Sequence, residues 1–231
     1  MALSSNMKKS LLTILLLNFA LLQSCTKETP IPAKVSPTLT IGEIPDSEVT
    51  FTSLSLTGNV NPEKETVVER GVCYSTNPNP KVTDNKLTAL TNTFKIEVKD
   101  LAVNTKYYFR VYVTTSTETI YSKEQTKNTR SLAGTTWNVA FVHYNASSTV
   151  NWNADVTFNA NGTTKYDEPA NPGMYVMLGT YMVTGNSIDY KMGPPNDPGY
   201  NLIGKVNGKT MSGTYGGSPT KPNTWSATPK Q

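Results

Sequence analysis

The sequence predicts an all-β protein made of two regions, a two-sheet sandwich over residues 38–130 and an eight-stranded antiparallel barrel over residues 131–231. Three observations point there. After Cys25, apolar residues recur at every second position in short runs, and no long 3.6-residue apolar period appears. Thr, Asn, Gly, Pro, Tyr and Val are abundant, which suits strands and turns better than helices. Turn signals divide the runs, among them Asn61-Pro62, Asn77-Pro78, Gly185-Asn186 and Asn207-Gly208.

Residues 7–25 read MKKSLLTILLLNFALLQSC. Lys8 and Lys9 form a basic head, and residues 11–22 form an apolar run interrupted only by Thr13 and Asn18. That run is shorter than the roughly 20 apolar residues a spanning helix needs. It has the charge order and length of a secretory signal. Leu22-Gln23-Ser24-Cys25 resembles a bacterial lipobox, with Gln23 standing where a small or aliphatic residue is usual. The resemblance implies that residues 1–24 are a signal peptide, that Cys25 carries the lipid, and that the chain is held to a membrane by it. Residues 25–37 then read as the lipidated Cys and a tether. Pro30, Pro32 and Pro37 favour extended chain there.

Composition excludes several classes. The 231 residues suit two small domains. There are two Cys, and with Cys25 lipidated Cys73 has no partner, so no disulfide framework is expected. His143 is the one histidine, which excludes His-cluster metal sites. Lys8 and Lys9 supply two of the four net positive charges, leaving +2 from Cys25 onward with no basic run, so nucleic acid is not an expected partner.

In the first region the alternating runs are 53–60 (SLSLTGNV), 67–75 (VVERGVCYS), 93–98 (TFKIEV), 106–114 (KYYFRVYVT) and 120–126. Strands this short and regular indicate a sandwich. Cys73, between Val72 and Tyr74, reads as a small buried hydrophobe. The pattern Leu101-x-x-x-Thr105-x-Tyr107-x-x-x-Val111 resembles the corner between the fifth and sixth strands of fibronectin type III domains. The resemblance implies that Leu101 plugs the core and that the Tyr107 hydroxyl bonds back to backbone. Val103 stands where the family usually has Pro, and the usual Trp of the third strand is missing.

In the second region the candidate strands are 135–144, 154–159, 163–166, 174–184, 187–191, 200–206, 209–215 and 224–228. Tight turns between sequential strands favour a closed meander, since closure removes unpaired edges. Gly134-Thr135-Thr136-Trp137 is similar to the opening of small lipocalin-like barrels, with one residue more between Gly and Trp than is usual. The resemblance implies that Trp137 plugs the closed end and that ligands enter at the other. The two regions are expected to be separable near residues 128–131.

Chemistry-bearing motifs are scarce. No Gly-rich phosphate loop, Cys-x-x-Cys, His-Glu-x-x-His or Gly-x-Ser-x-Gly occurs. The acidic loop residues Asp167, Glu168 and Asp197 offer too few oxygens for calcium. His143 with Asp155 or Asp189 lacks a nucleophile. What remains is aromatic: Tyr144, Trp152, Tyr166, Tyr175, Tyr181, Tyr190 and Tyr200 are candidates to line a barrel cavity or a stacking platform. The expectation is a monomeric, non-enzymatic outer-membrane lipoprotein of the cell envelope, on either its periplasmic or its cell-surface face, with no cofactor. Its sandwich would be a spacer, and its barrel would bind a small apolar or amphipathic molecule. The alternative is an interaction protein that binds glycan or protein through the barrel loops at 167–173 and 193–199.

Overall fold

The computed structural model describes residues 35–193 and 199–230. Cys25, the signal-like segment before it, most of the Pro-rich segment after it, and Asn196-Asp197 lie outside the described residues. Strands and turns make up nearly all of the rest, with one short 3-10 turn at Asp46–Glu48.

The first region holds β1 (Thr38–Ile41), β2 (Leu54–Asn61), β3 (Val67–Ser75), β4 (Asn85–Thr88), β5 (Thr93–Val98), β6 (Lys106–Thr115), β7 (Thr119–Tyr121) and β8 (Gln125–Asn128). One sheet runs β1-β2-β5; the other runs β4-β3-β6-β7, with β8 also paired to β6. Period-two alternation decides what lies between them. Leu54, Leu56, Phe94 and Val98 of the first sheet share a buried core with Val72, Phe109, Val111 and Val113 of the second. The 120–126 run is two strands rather than one. Ser122 interrupts it: its hydroxyl accepts from Val111 N–H at 2.9 Å and takes a carbonyl's place in the ladder.

At the turn before β6, Asp100 and Asn104 adopt left-handed φ values of 57° and 51°, which short polar side chains tolerate. Leu101 is buried there. Ala102 N–H donates to the Tyr107 hydroxyl at 3.0 Å, and the Thr105 hydroxyl donates to Val103 O at 2.9 Å.

The second region is a closed antiparallel barrel of eight strands. They are β9 (Thr135–Tyr144), β10 (Thr149–Phe158), β11 (Thr163–Asp167), β12 (Met177–Thr184), β13 (Ser187–Met192), β14 (Tyr200–Asn207), β15 (Thr210–Ser218) and β16 (Lys221–Pro229). Each pairs with the next, and β16 returns to β9, where Trp225 faces Phe141 across the closing ladder. Gly162, Gly185 and Gly208 supply the positive φ that the tight turns require. Inward residues such as Val139, Phe141, Val156, Phe158, Tyr190, Leu202, Val206 and Met211 form one core.

Two sandwich residues belong to that core. Phe51 and Val103 are buried with the barrel side chains, and the Phe51 ring stands 5.1 Å from that of the fully buried Trp137. The barrel turns are bonded to the same loops. Phe51 N–H donates to Gly208 O at 3.2 Å, Gly208 N–H to the Thr52 hydroxyl at 2.6 Å, and Val103 N–H to Gly185 O at 2.9 Å. From Ser36 onward the described residues cluster as one compact unit.

Candidate functional site

The barrel has two unlike ends. The turns at Gly185 and Gly208 and the start of β9 abut the sandwich, and Phe51 covers Trp137 there. A cleft of ≈ 780 Å³ beside this seam is lined by Phe51, Arg130, Thr135, Lys209 and Lys230. Arg130 donates to Asp46 O at 3.0 Å, and Lys230 is paired with Asp155, so two of its three cations are already engaged.

The other end collects the aromatic side chains. The end of β9, the start of β10, the end of β11, the start of β14 and the end of β15 meet there by antiparallel succession. Trp152 stacks on Phe141 at 5.0 Å with 8° between the planes. Tyr215 meets Phe141, Trp152 and Tyr200 edge-on, at 5.7, 6.3 and 5.5 Å. His143 lies 6.4 Å from Trp152 and 6.2 Å from Tyr215. Offset and edge-to-face pairs of this kind are the favoured aromatic arrangements. Trp152 is only partly buried and Tyr200 is 45% exposed, so ring surface remains open to solvent at this end.

A hydrogen-bond chain runs through the cluster. Trp152 Nε1–H donates to the Tyr166 hydroxyl at 3.0 Å, which donates to Glu168 Oε1 at 2.7 Å. Burial, then the bond to Glu168, pushes the Tyr166 phenol well above its ordinary range, so it stays a donor.

Among the described residues, five inward polar atoms of the barrel are buried with no hydrogen-bond partner: His143 Nδ1, Thr164 Oγ1, Tyr190 OH, Tyr215 OH and Trp225 Nε1. Tyr190 and Thr164 are neighbours, and Thr164 offsets part of the rise that burial imposes on the Tyr190 phenol, although the two hydroxyls do not meet in a well-formed hydrogen bond. Leaving such a group unpaired costs about 1–3 kcal/mol.

The seven aromatic candidates fall into different places. Trp152, Tyr166 and Tyr200 join the open-end cluster. Tyr190 sits deeper, 6.0 Å from Phe158. Tyr181 packs edge-on to Phe158 at 4.9 Å toward the sandwich end and donates to Asn159 O. Tyr144 occupies the alternate register to Phe141 and His143, with the Lys221 ammonium 4.5 Å above its ring. Tyr175 is half exposed in the loop before β12. Phe141, Tyr215 and Trp225 belong to the site and are not among the sequence candidates. The inward alternation on β9, β15 and β16 is the signal that selects them. Of the acidic loop residues, Asp167 accepts from Gly173 N–H at 3.0 Å and Glu168 serves Tyr166.

No protein-family model matches the sequence, and no curated protein matches it either.

Proposed function

We propose that the chain is a non-enzymatic cell-envelope lipoprotein, tethered by a lipid on Cys25, whose barrel binds a small apolar or amphipathic molecule at its aromatic end. The sandwich, read as fibronectin type III-like, acts as a spacer that also closes the opposite end of the lipocalin-like barrel. The observation that carries the binding reading is the partly open cluster of Phe141, His143, Trp152, Tyr200 and Tyr215. Aromatic walls with a few polar groups are the usual lining of small-molecule sites. Trp152 is the natural reporter. Titration with the neutral probe N-phenyl-1-naphthylamine should quench tryptophan emission saturably with one-to-one stoichiometry. Trp152→Ala should weaken binding at least tenfold, while Leu90→Ser on the sandwich should leave it unchanged. Weak, non-saturating uptake that is equal in both variants would remove the barrel site. The lipoprotein part has its own test: Cys25→Ala should move the protein from the membrane to the soluble fraction.

A second reading, a surface that binds glycan or protein, draws on a different observation. Met174, Tyr175, Val176, Leu178, Met182 and Ile203 are exposed on the loop before β12 and on the outer wall of the barrel. Apolar patches of this kind mark interaction surfaces.

A further inference from the structure

The buried polar atoms inside the barrel have a chemical bias. Trp225 Nε1–H only donates. Burial, with Tyr200 nearby, raises the Tyr215 phenol to about 12, so at neutral pH it holds its proton and donates as well. Tyr215 and Trp225 are each at least nine-tenths buried, and neither has a hydrogen-bond partner in the protein, whereas the neighbouring Tyr190 and Thr164 hydroxyls can serve each other. The lining therefore offers one obligate donor, Trp225 Nε1–H, and beside it a Tyr215 hydroxyl free to donate.

Apart from Glu168, which Tyr166 engages at the rim, it is also uncharged. No Lys, Arg, Asp or Glu is among the buried residues described. A carboxylate or ammonium drawn into such a lining would lose its hydration with no buried counter-charge.

Glycines leave inward room beside two of these side chains. Gly179, Gly204 and Gly213 occupy inward positions on β12, β14 and β15. A Cβ added at Gly204 would stand 2.4 Å from Trp225 Cζ2, so the indole lies where a side chain would otherwise be. A Cβ at Gly179 would come within 2.8 Å of the Thr164 hydroxyl. At both positions a backbone carbonyl stands closer still, Ser212 O at 2.3 Å and Lys191 O at 2.2 Å, so no side chain fits there without moving the sheet.

Resting on the barrel-binding reading above, we infer that the ligand is a neutral amphiphile that presents an acceptor oxygen of carbonyl type to Tyr215 and Trp225, inward neighbours on the paired strands β15 and β16, with an apolar or aromatic body against Phe141 and Trp152.

A matched pair of probes tests this. 2-Acetylnaphthalene and 2-ethylnaphthalene are nearly the same size and differ by one carbonyl oxygen. An apolar lumen that offers no donor takes the ethyl compound more tightly, because water holds it less well. Unpaired donors reverse that order. The purified chain, titrated calorimetrically, should bind the acetyl compound about fivefold to tenfold more tightly, the worth of roughly one net hydrogen bond. Tyr215→Phe, which keeps the ring, and Trp225→Phe should each shrink that preference and leave ethylnaphthalene affinity nearly unchanged. Equal or tighter binding of ethylnaphthalene by the unaltered chain would overturn the donor inference while leaving barrel binding intact. A preference that persists undiminished in both variants would overturn the assignment to these atoms. Binding of neither compound would remove the barrel-binding reading and this inference with it.

Discussion

The sandwich and the barrel are both closed around apolar cores, yet they treat buried polar groups in opposite ways. In the sandwich each such group is answered. Tyr107 OH accepts from Ala102 N–H, Ser122 completes the β6 ladder, Tyr112 donates to Glu69, and the Cys73 thiol donates to Pro80 O at 3.3 Å. In the barrel, five inward polar atoms are left unanswered, and the one further unpaired atom among the described residues, Asp189 Oδ1, belongs to β13 of the same barrel. A fully paired interior suits a structural role, because nothing in it is improved by a ligand. An interior with spare donors is improved by one. The contrast agrees with the proposed division into a supporting sandwich and a binding barrel, and three measurements can break it.

The largest effect is expected where the two regions meet. Phe51 is a sandwich residue but packs in the barrel core against Trp137. Phe51→Ala should cost about 3–5 kcal/mol, and the loss should appear as destabilisation of the barrel. Likewise, a fragment of residues 129–231, which lacks Phe51, Thr52 and Val103, should unfold at lower denaturant than the barrel does in the full chain. A fragment of residues 37–128 should lose less. Equal midpoints for the isolated and the covalently joined barrel, followed by tryptophan fluorescence, which comes only from the barrel, would show that the seam contributes nothing.

A smaller effect tests the completeness of sandwich burial. Burial raises the Cys73 thiol from its ordinary value of 9.0 to about 11, against a partial opposing pull from Arg110. The folded value lies above the unfolded one, so the fold favours the neutral thiol. That contribution is fully present below about pH 9 and is lost as pH rises from about 9 to about 11. It amounts to something on the order of 2 kcal/mol. Stability measured by denaturant across this window should fall in the native chain and fall less in Cys73→Ala. At pH 8 the thiol should react with a disulfide reagent only after unfolding. Rapid native-state labelling would contradict a sealed core.

Much of this architecture is legible in the sequence where alternation is long. The runs 67–75, 93–98 and 135–144 coincide with β3, β5 and β9 to the residue. β1 and β4 are not legible, because TLTI and NKLT are four-residue edge strands with too few turns of the pattern to register. The seam is not legible either, since Phe51 and Val103 lie in loops, where burial has no period to announce it. For the aromatic end, residue type alone picks out Trp152 and Tyr166 but also Tyr144 and Tyr175, whose register or loop position keeps them out. Phe141 and Tyr215 become visible only when type is combined with strand register. The unpaired donors depend on three-dimensional neighbours, and no sequence spacing encodes them.

The smallest expected effect is the sharpest, because it applies one chemical change to both regions. Tyr→Phe removes a hydroxyl and keeps the ring. At Tyr107 that hydroxyl accepts from Ala102 N–H, so Tyr107→Phe strands a buried donor and should cost about 1–3 kcal/mol. Tyr108→Phe, on the other face of β6 and only half-buried, should cost little and serves as the local control. At Tyr215 the hydroxyl is buried with no partner. Removing it from the ligand-free chain gives up no hydrogen bond and relieves a desolvated group, so Tyr215→Phe should be neutral or slightly stabilising, within about 0.5 kcal/mol. The order Tyr107→Phe, then Tyr108→Phe, then Tyr215→Phe, from most to least destabilising, is what a satisfied sandwich and an unsatisfied barrel require. If Tyr215→Phe costs as much as Tyr107→Phe, the Tyr215 hydroxyl already has a bonding partner in solution, and the barrel interior is as complete as the sandwich. If Tyr215→Phe is neutral without ligand but lowers affinity for a carbonyl probe, stability and recognition separate at a single oxygen atom.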